Sequence, residues 1–274
     1  MKHWRIEEVA WDRFDVSKLD PDLVPLVKAA AMVERNGTDY AVYLNRVFAD
    51  DPDFRLAADN WAVEEVQHGD ALGRWAMLVD PSWDYEAAFA RYKAGYRLPL
   101  DAMRSVRGSR TGELIARCMV EIGTSSYYSA LAETASEPVL RQICKNIAAD
   151  EFRHYKLFYD HMRRYLGREK IGLVRRMFIA LGRITESEDD ELAYAWHCGN
   201  QPAAQKFVRA NCIAAYMAGA MRLYRFRHIE RGMGMIFKAV GLKPRGRLSD
   251  AASRGAWRLL RWRRQHFRRQ LQAL

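Results

Sequence analysis

Residues 148–154 read Ala-Ala-Asp-Glu-Phe-Arg-His and place Glu151 three positions before His154. On a helix, residues three apart project from one face, so this Glu-x-x-His pair has the spacing of two metal ligands. The same pair occurs earlier: Trp-Ala-Val-Glu-Glu-Val-Gln-His-Gly at 61–69 places Glu65 three positions before His68. One such pair could arise by chance, but two in similar surroundings indicate a metal site.

Two further glutamates complete a repeated half-site. Glu34 and Glu121 each precede their Glu-x-x-His pair by about 30 residues. These two glutamates are 87 positions apart, and Glu65 and Glu151 are 86 positions apart. Two helices that give one Glu each and two that give Glu-x-x-His form the ligand set of a four-helix bundle holding two iron or manganese ions. Six ligands can leave open coordination positions, where O₂ or a substrate could bind.

The rest of the chain predicts an all-α fold around this bundle. With 274 residues, 49% of them hydrophobic, the chain can bury a large core, and no stretch shows the sustained alternation of a strand. The first bundle helix is predicted to start at Asp20-Pro21 and to end before Asp50-Asp51-Pro52. We expect residues 1–170 to form the bundle with an N-terminal extension. Residues 171–274 are expected to form a C-terminal helical extension with a basic tail, packed on the same domain.

The formal charge of +10 is concentrated in the C-terminal tail. Residues 241–274 hold ten Lys or Arg and one acid, which leaves about +1 for the rest. A basic helix of this kind could rest on anionic lipid, as a peripheral membrane contact, or on nucleic acid or an acidic protein. It could equally be a solvated terminus.

Cysteine usage and hydropathy predict a cytoplasmic protein. The N-terminus lacks the apolar run of a signal peptide, and arginines interrupt the most apolar later stretches. No cysteine pair has Cys-x-x-Cys spacing, which predicts reduced, buried thiols and argues against a disulfide framework. The four cysteines are Cys118, Cys144, Cys198 and Cys212.

Several residues beside the predicted ligands are candidates for supporting roles. Thr124 and Ser125 follow Glu121 closely. Small hydroxylated side chains there would leave room beside a metal pair and donate a hydrogen bond, or would simply allow close helix packing.

Asp150 cannot share the face of Glu151, but could accept a proton from a histidine ligand on a neighbouring helix. Glu64 is predicted to be solvated or to lie behind a ligand. Histidines without a Glu at ligand spacing, among them His161, His197 and His228, are predicted to be surface or hydrogen-bonded core residues.

These motifs resemble those of the soluble acyl-ACP (acyl-carrier-protein) desaturases, members of the ferritin-like di-iron superfamily. Residues 61–72 are similar to the family's Glu-Glu-x-Arg-His-Gly-Asp-x-Leu, and residues 142–154 to its Ile-Ala-x-Asp-Glu-x-Arg-His. The segment Glu121-Ile-Gly-Thr124 matches the family's Glu-x-x-Thr. The resemblance covers about residues 30–165, with departures at Gln67, where the family has Arg, and at Tyr155, where it has an acid.

The resemblance implies a ferritin-like four-helix bundle and an O₂-dependent enzyme that oxidises an unactivated C–H bond of a fatty acyl chain. It implies two iron ions, with manganese as the other candidate metal, Glu65 and Glu151 as bridging carboxylates, and Thr124 beside the oxygen-binding face. It also implies a homodimer, a ferredoxin-type electron donor and an acyl carrier protein as partner, for which the basic tail offers a landing surface. The implied ligands are Glu34, Glu65, His68, Glu121, Glu151 and His154.

Three other functions stay open on the sequence. The first is a di-iron oxygenase acting on a small amine, amino acid or free fatty acid, because the bundle supports many oxidations. The second is a ferroxidase or iron-storage protein, although about 110 residues beyond the bundle fit a closed shell poorly. The third is a helical protein that binds nucleic acid or a membrane and has a vestigial metal site; the residues do not favour a nucleic-acid partner.

Overall fold

The structure, a computed structural model, describes residues 3–186 and 190–272, and the regular structure in these ranges is helical. The predicted all-α fold is therefore confirmed. Short 3₁₀ turns between Ile6 and Leu23 precede the first α-helix. The α-helices are α1 (Val24–Arg35), α2 (Gly37–Val47), α3 (Pro52–Val79), α4 (Tyr85–Gly95), α5 (Arg110–Thr134), α6 (Pro138–Glu169), α7 (Leu173–Glu186), α8 (Asp190–Asn200), α9 (Arg209–Met221), α10 (Phe226–Val240) and α11 (Arg247–Gln272).

The helices that carry the predicted ligands pack around one interior, in an arrangement compatible with a ferritin-like bundle. Helix α3 contacts α1, α2 and α6, and α5 packs extensively on α6. Two apolar clusters fill this interior. One includes Leu72, Trp75 and Ile143, and the other includes Phe54 and Phe158. Along both α3 and α6 the predicted ligands fall between the two clusters, so the site is a polar layer enclosed by apolar side chains.

Helix caps fix the sequence register of the bundle. Asp51 caps α3 by accepting a hydrogen bond from the backbone N–H of Phe54, and Pro52 occupies the first helical position. Glu137 caps α6 in the same way, ahead of Pro138, and its carboxylate also accepts the indole N–H of Trp75 at 2.8 Å. Each cap sets where the following Glu-x-x-His pair lies along its helix.

The predicted first helix is wrong in one respect, because it is interrupted immediately after Glu34. Helix α1 ends at Arg35, and Asn36 forms a tight turn in which its backbone N–H bonds to the carbonyl oxygen of Val33 at 3.1 Å. Helix α2 then begins at Gly37, where a Cβ would lie only 2.5 Å from Cβ of Glu65. Glycine is required here because α2 approaches α3 so closely at a predicted ligand.

The remaining helices extend the bundle on its outside. Helix α8 packs on α1, α4 and α9, while α7 and α10 pack on α5 and α11 packs on α9 and α10. The predicted additional helices at the C-terminus are thus present; the division into two segments at residue 170 stays a prediction. The four cysteines are free and buried, as predicted. In the described ranges no helix combines the length and apolarity needed to cross a bilayer.

Candidate metal centre

The structure brings the six predicted ligands together in the interior of the bundle. Each contributing helix supplies one Glu or one Glu-x-x-His pair, because three-residue spacing places both members of a pair on the same helix face. All six side chains are buried, although six carboxylate and imidazole groups of this kind would ordinarily prefer water. They are Glu34 on α1, Glu65 and His68 on α3, Glu121 on α5, and Glu151 and His154 on α6.

Among the described residues, the side chains that could hold a metal ion form two adjoining groups. The first group is Glu34, Glu65, His68 and Glu151, and the second is Glu65, Glu121, Glu151 and His154. The donor atoms of each group lie within 4.8 Å of one another, close to the roughly 4.4 Å spread expected for donors about 2.2 Å from one ion. Glu65 and Glu151 belong to both groups, so these two carboxylates are placed to bridge a metal pair.

One atom of each predicted ligand is buried without a hydrogen-bond partner. A buried polar atom without a partner lowers the stability of the folded state, so each one needs an explanation. His154 Nδ1 and Glu65 Oε1 lie only 3.0 Å apart, yet this contact lacks hydrogen-bond geometry. Donors that converge without bonding to one another are expected where they share a cation, so the site fits a pair of metal ions. The six atoms are Glu34 Oε2, Glu65 Oε1, His68 Nδ1, Glu121 Oε1, Glu151 Oε1 and His154 Nδ1.

The other nitrogen of each histidine is held by a carboxylate outside the six. His68 Nε2 lies 2.9 Å from Asp150 Oδ2, and His154 Nε2 lies 3.1 Å from Glu64 Oε2. A carboxylate that accepts the Nε2 proton leaves Nδ1 with a free lone pair and raises its basicity. The predicted contact of Asp150 with a histidine on a neighbouring helix is confirmed, and Glu64 lies behind His154 rather than in solvent.

Electrostatics explain why the carboxylates need cations. Burial raises the pKa of Glu65 well above its ordinary value, and the nearby charges of Glu151 and Glu34 raise it further. Burial also raises the pKa of Glu121, with the charges of Glu151 and Glu65 adding to the effect. Four carboxylates in one dry layer cannot all ionise unless positive charge lies among them.

The imidazoles supply that positive charge when no metal is bound. Burial opposes protonation of His68, but the contact with Asp150 and the nearby carboxylates of Glu151 and Glu34 outweigh it and raise its pKa well above the usual value. The pKa of His154 is raised for the same reason by its carboxylate neighbours. Metal ions must therefore displace protons from both rings when they bind.

Three residues support the ligands from outside. Tyr128 donates its hydroxyl to Glu34 Oε1 at 2.6 Å, and Thr124 donates to Glu151 Oε2. The indole N–H of Trp4 donates to Asp150 Oδ2 at 2.7 Å, and its ring stacks on His68 with centroids 6.1 Å apart. The sequence predicted an N-terminal extension of the bundle but gave no role to Trp4, because no local pattern links it to His68, 64 positions away.

The three histidines singled out in the sequence, His161, His197 and His228, lie apart from the two metal-binding groups, as predicted. His228 is buried and lies 2.9 Å from Glu133; His197 contacts Gln201, and His161 contacts Arg164. Each has a protein partner that explains its position.

Replacing Asp150 with asparagine should weaken metal binding about 10- to 100-fold, because a neutral amide no longer orients and polarises His68. Equilibrium titration of the metal-free protein with ferrous or manganous ion under anaerobic conditions measures this. Asp70→Asn is the matched control, since Asp70 lies on α3 but pairs with Arg35 and Tyr85. Equal metal affinity in the Asp150 variant and the wild type would contradict the assigned role.

The chain gives no match in a scan against protein-family models and none in a search of curated proteins.

Proposed function

We propose that this protein is an O₂-dependent di-iron oxidoreductase that oxidises an unactivated C–H bond of a fatty acyl chain, in the manner of the acyl-ACP desaturases that its motifs resemble. The observation that carries the proposal is the convergence of six buried donor atoms that lack hydrogen-bond partners. A donor set of four carboxylates and two imidazoles suits iron or manganese. When bound, a ferrous pair supplies two electrons to O₂ and with them the oxidising power that such a bond requires.

The chain's own residues hold and enclose the reacting site. Asp150 and Glu64 would accept the Nε2 protons of the two imidazoles, which would leave both Nδ1 atoms free to hold the metals. Tyr128 fixes Glu34. The apolar clusters on either side keep water away, which protects a strong oxidant from side reactions.

Thr124 is the residue we assign to the reacting face. Its hydroxyl lies beside Glu151 Oε2 and also within 3.3 Å of the backbone carbonyl oxygens of Val120 and Glu121. A hydroxyl with several acceptors can rotate, so it can donate to a carboxylate or to an oxygen species next to it.

A groove between α2 and α3 offers an approach for an apolar substrate. Its volume is about 310 Å³, at the lower end of the range for small-molecule sites. The groove reaches Val63 and Val66, which flank Glu65 in sequence, and its polar end holds Asn45 and Asp59. The lining residues are Thr38, Ala41, Val42, Asn45, Asp59, Ala62, Val63 and Val66.

Two protein partners belong to this proposal. An acidic acyl carrier protein would be steered by the arginines of α11, most of which are exposed. A ferredoxin-type donor would deliver the two external electrons, and we expect a homodimer, as in the family that the motifs resemble.

The test is reconstitution with ferrous iron, a reductant with ferredoxin, O₂ and acyl carrier protein loaded with fatty acid, followed by mass analysis of the acyl chain. We expect loss of two hydrogens or gain of one oxygen. Omission of O₂ or iron is the control. If no acyl chain, free or carrier-bound, changes in mass while two iron ions are bound, the substrate assignment is wrong and the metal centre stands.

A further inference from the structure

The outer face of α7 is apolar, and no part of the chain that the structure describes covers it. Val174, Phe178 and Leu181 are 66%, 71% and 57% exposed, and their spacing of four and three residues places them on one side of the helix. Three more exposed hydrophobic residues widen this side: Leu173, Met177 and Ile184. Single exposed apolar residues are common, but six on one helix face form a patch of the kind that marks an interaction site.

The opposite side of α7 fixes its orientation. Ala180 is buried in the cluster that includes Phe54 and Phe158, and Ile179 packs against that cluster. A Cβ at Gly112 of α5 would lie 3.0 Å from Cδ1 of Ile179. The helix is therefore held against the bundle by one apolar side while it presents a second apolar side outward. Helices that are apolar on two sides are normally buried.

Basic residues border this face. Lys170 and Arg175 are exposed at the N-terminal end of α7. Arg176 reaches Gly241, where a Cβ would lie 2.5 Å from its Nη1 atom, and the segment that follows Gly241 carries Lys243 and Arg245, both exposed. The one acid of α7, Glu186, is paired with Arg107 at 2.7 Å.

We propose that the outer face of α7 docks on an anionic lipid surface. Its hydrophobic side chains would enter the boundary between headgroups and acyl chains, and the bordering lysines and arginines would contact lipid phosphates. The six exposed side chains of this face are hydrocarbon or thioether groups, which suits acyl chains because they offer no hydrogen-bonding groups either. A second copy of this chain fits less well, since a twofold interface would bring two basic borders together.

The apolar face of α7 is separate from helix α11, and Lys243 and Arg245 lie in the tail segment that precedes α11. Helix α11 also exposes apolar residues, Leu259 and Trp262, among its arginines, and the tail's contact with lipid remains a prediction of its own. The α7 proposal does not depend on metal or catalysis, so failure of the proposed reaction would leave it intact.

The experiment is flotation of the full-length protein with vesicles of phosphatidylcholine alone or mixed with phosphatidylglycerol. We expect binding to the mixed vesicles that weakens as salt rises. The triple variant Val174→Ser/Phe178→Ser/Leu181→Ser should lower the partition coefficient about tenfold or more, because it removes the inserted apolar surface. Because these side chains are exposed, the variant should keep the wild-type helix content and metal content.

Two further variants make the result specific. Val16→Ser/Leu56→Ser removes two equally exposed hydrophobic residues elsewhere and should leave binding unchanged. Leu259→Ser/Trp262→Ser tests the tail. The proposal is overturned if the wild type does not bind anionic vesicles at low salt, or binds neutral vesicles as well. It is also overturned if only the tail variant reduces binding, or if the triple variant's sole effect is to convert a dimer into a monomer in light scattering.

Discussion

Replacing Glu151 with glutamine should reduce bound metal from about two ions per chain to less than one, and activity should be lost with it. Glu151 contributes to both metal-binding groups, and its Oε1 lies 3.3 Å from His68 Nδ1 and 3.8 Å from His154 Nδ1. A neutral amide removes one negative charge and a bridging oxygen from both ions. Elemental analysis of protein loaded anaerobically with ferrous ion gives the measurement.

Glu113→Gln is the matched control for this loss. Glu113 is also buried and lies on α5, two turns before Glu121, but its carboxylate accepts hydrogen bonds from Tyr43 and Ser105, both at 2.8 Å. The Glu113 variant should keep both metal ions. If the Glu151 variant also retains two ions per chain, the six side chains are not the ligands of a metal pair.

Replacing Glu121 with glutamine should stabilise the metal-free protein while it weakens metal binding at the second group, the one to which Glu121 belongs. Burial and the charges of Glu151 and Glu65 raise the pKa of Glu121 in the folded state, so the folded carboxylate is disfavoured at neutral pH. Removal of this carboxylate should add about 1.4 kcal/mol to the free energy of unfolding for each unit by which its pKa is raised. Chemical denaturation of both proteins in the presence of a chelator measures the difference.

The stability gain of the Glu121→Gln variant should grow as pH rises, because the pKa of Glu121 is raised in the folded state. Because the folded-state pKa of Glu121 is raised, the wild-type folded state binds this proton more tightly than the unfolded state does. The wild-type protein therefore loses stability as pH rises above the unfolded pKa of about 4.3 and through the folded pKa. The advantage of the glutamine variant should be largest at alkaline pH and should vanish in acid. A variant less stable than the wild type at pH 8, without metal, would contradict this account of the site.

The sequence alone determined the helical fold and the identity of the six converging side chains. Helical periodicity is local, so a Glu three positions before a His predicts a shared face wherever the helix lies. The repeat of that pattern with a spacing of 86 or 87 residues then indicated two matching half-sites. Asp150 was also predictable, because its position on α6 excludes it from the face of Glu151.

Only the tertiary structure showed which residues support the six converging side chains and where the first helix breaks. It showed that Glu64 supports His154, that Tyr128 binds Glu34, and that Trp4 reaches Asp150 from the start of the chain. It also placed the break at Asn36, where close packing of Gly37 on Glu65 outweighs helix continuity. These contacts join residues far apart in sequence and form only when the helices pack together, so no local sequence pattern predicts them.

The same limit applies to α7. Its hydrophobic residues could be read from the sequence, but which of them face the bundle and which face outward depends on the neighbouring helices. Ile179 and Ala180 are covered because α5 and α10 lie over them, while Phe178 and Leu181 have no such neighbour in the described chain. Burial is a property of the assembled helices rather than of any one segment, so the sequence identifies the six converging side chains and only the fold reveals the exposed face.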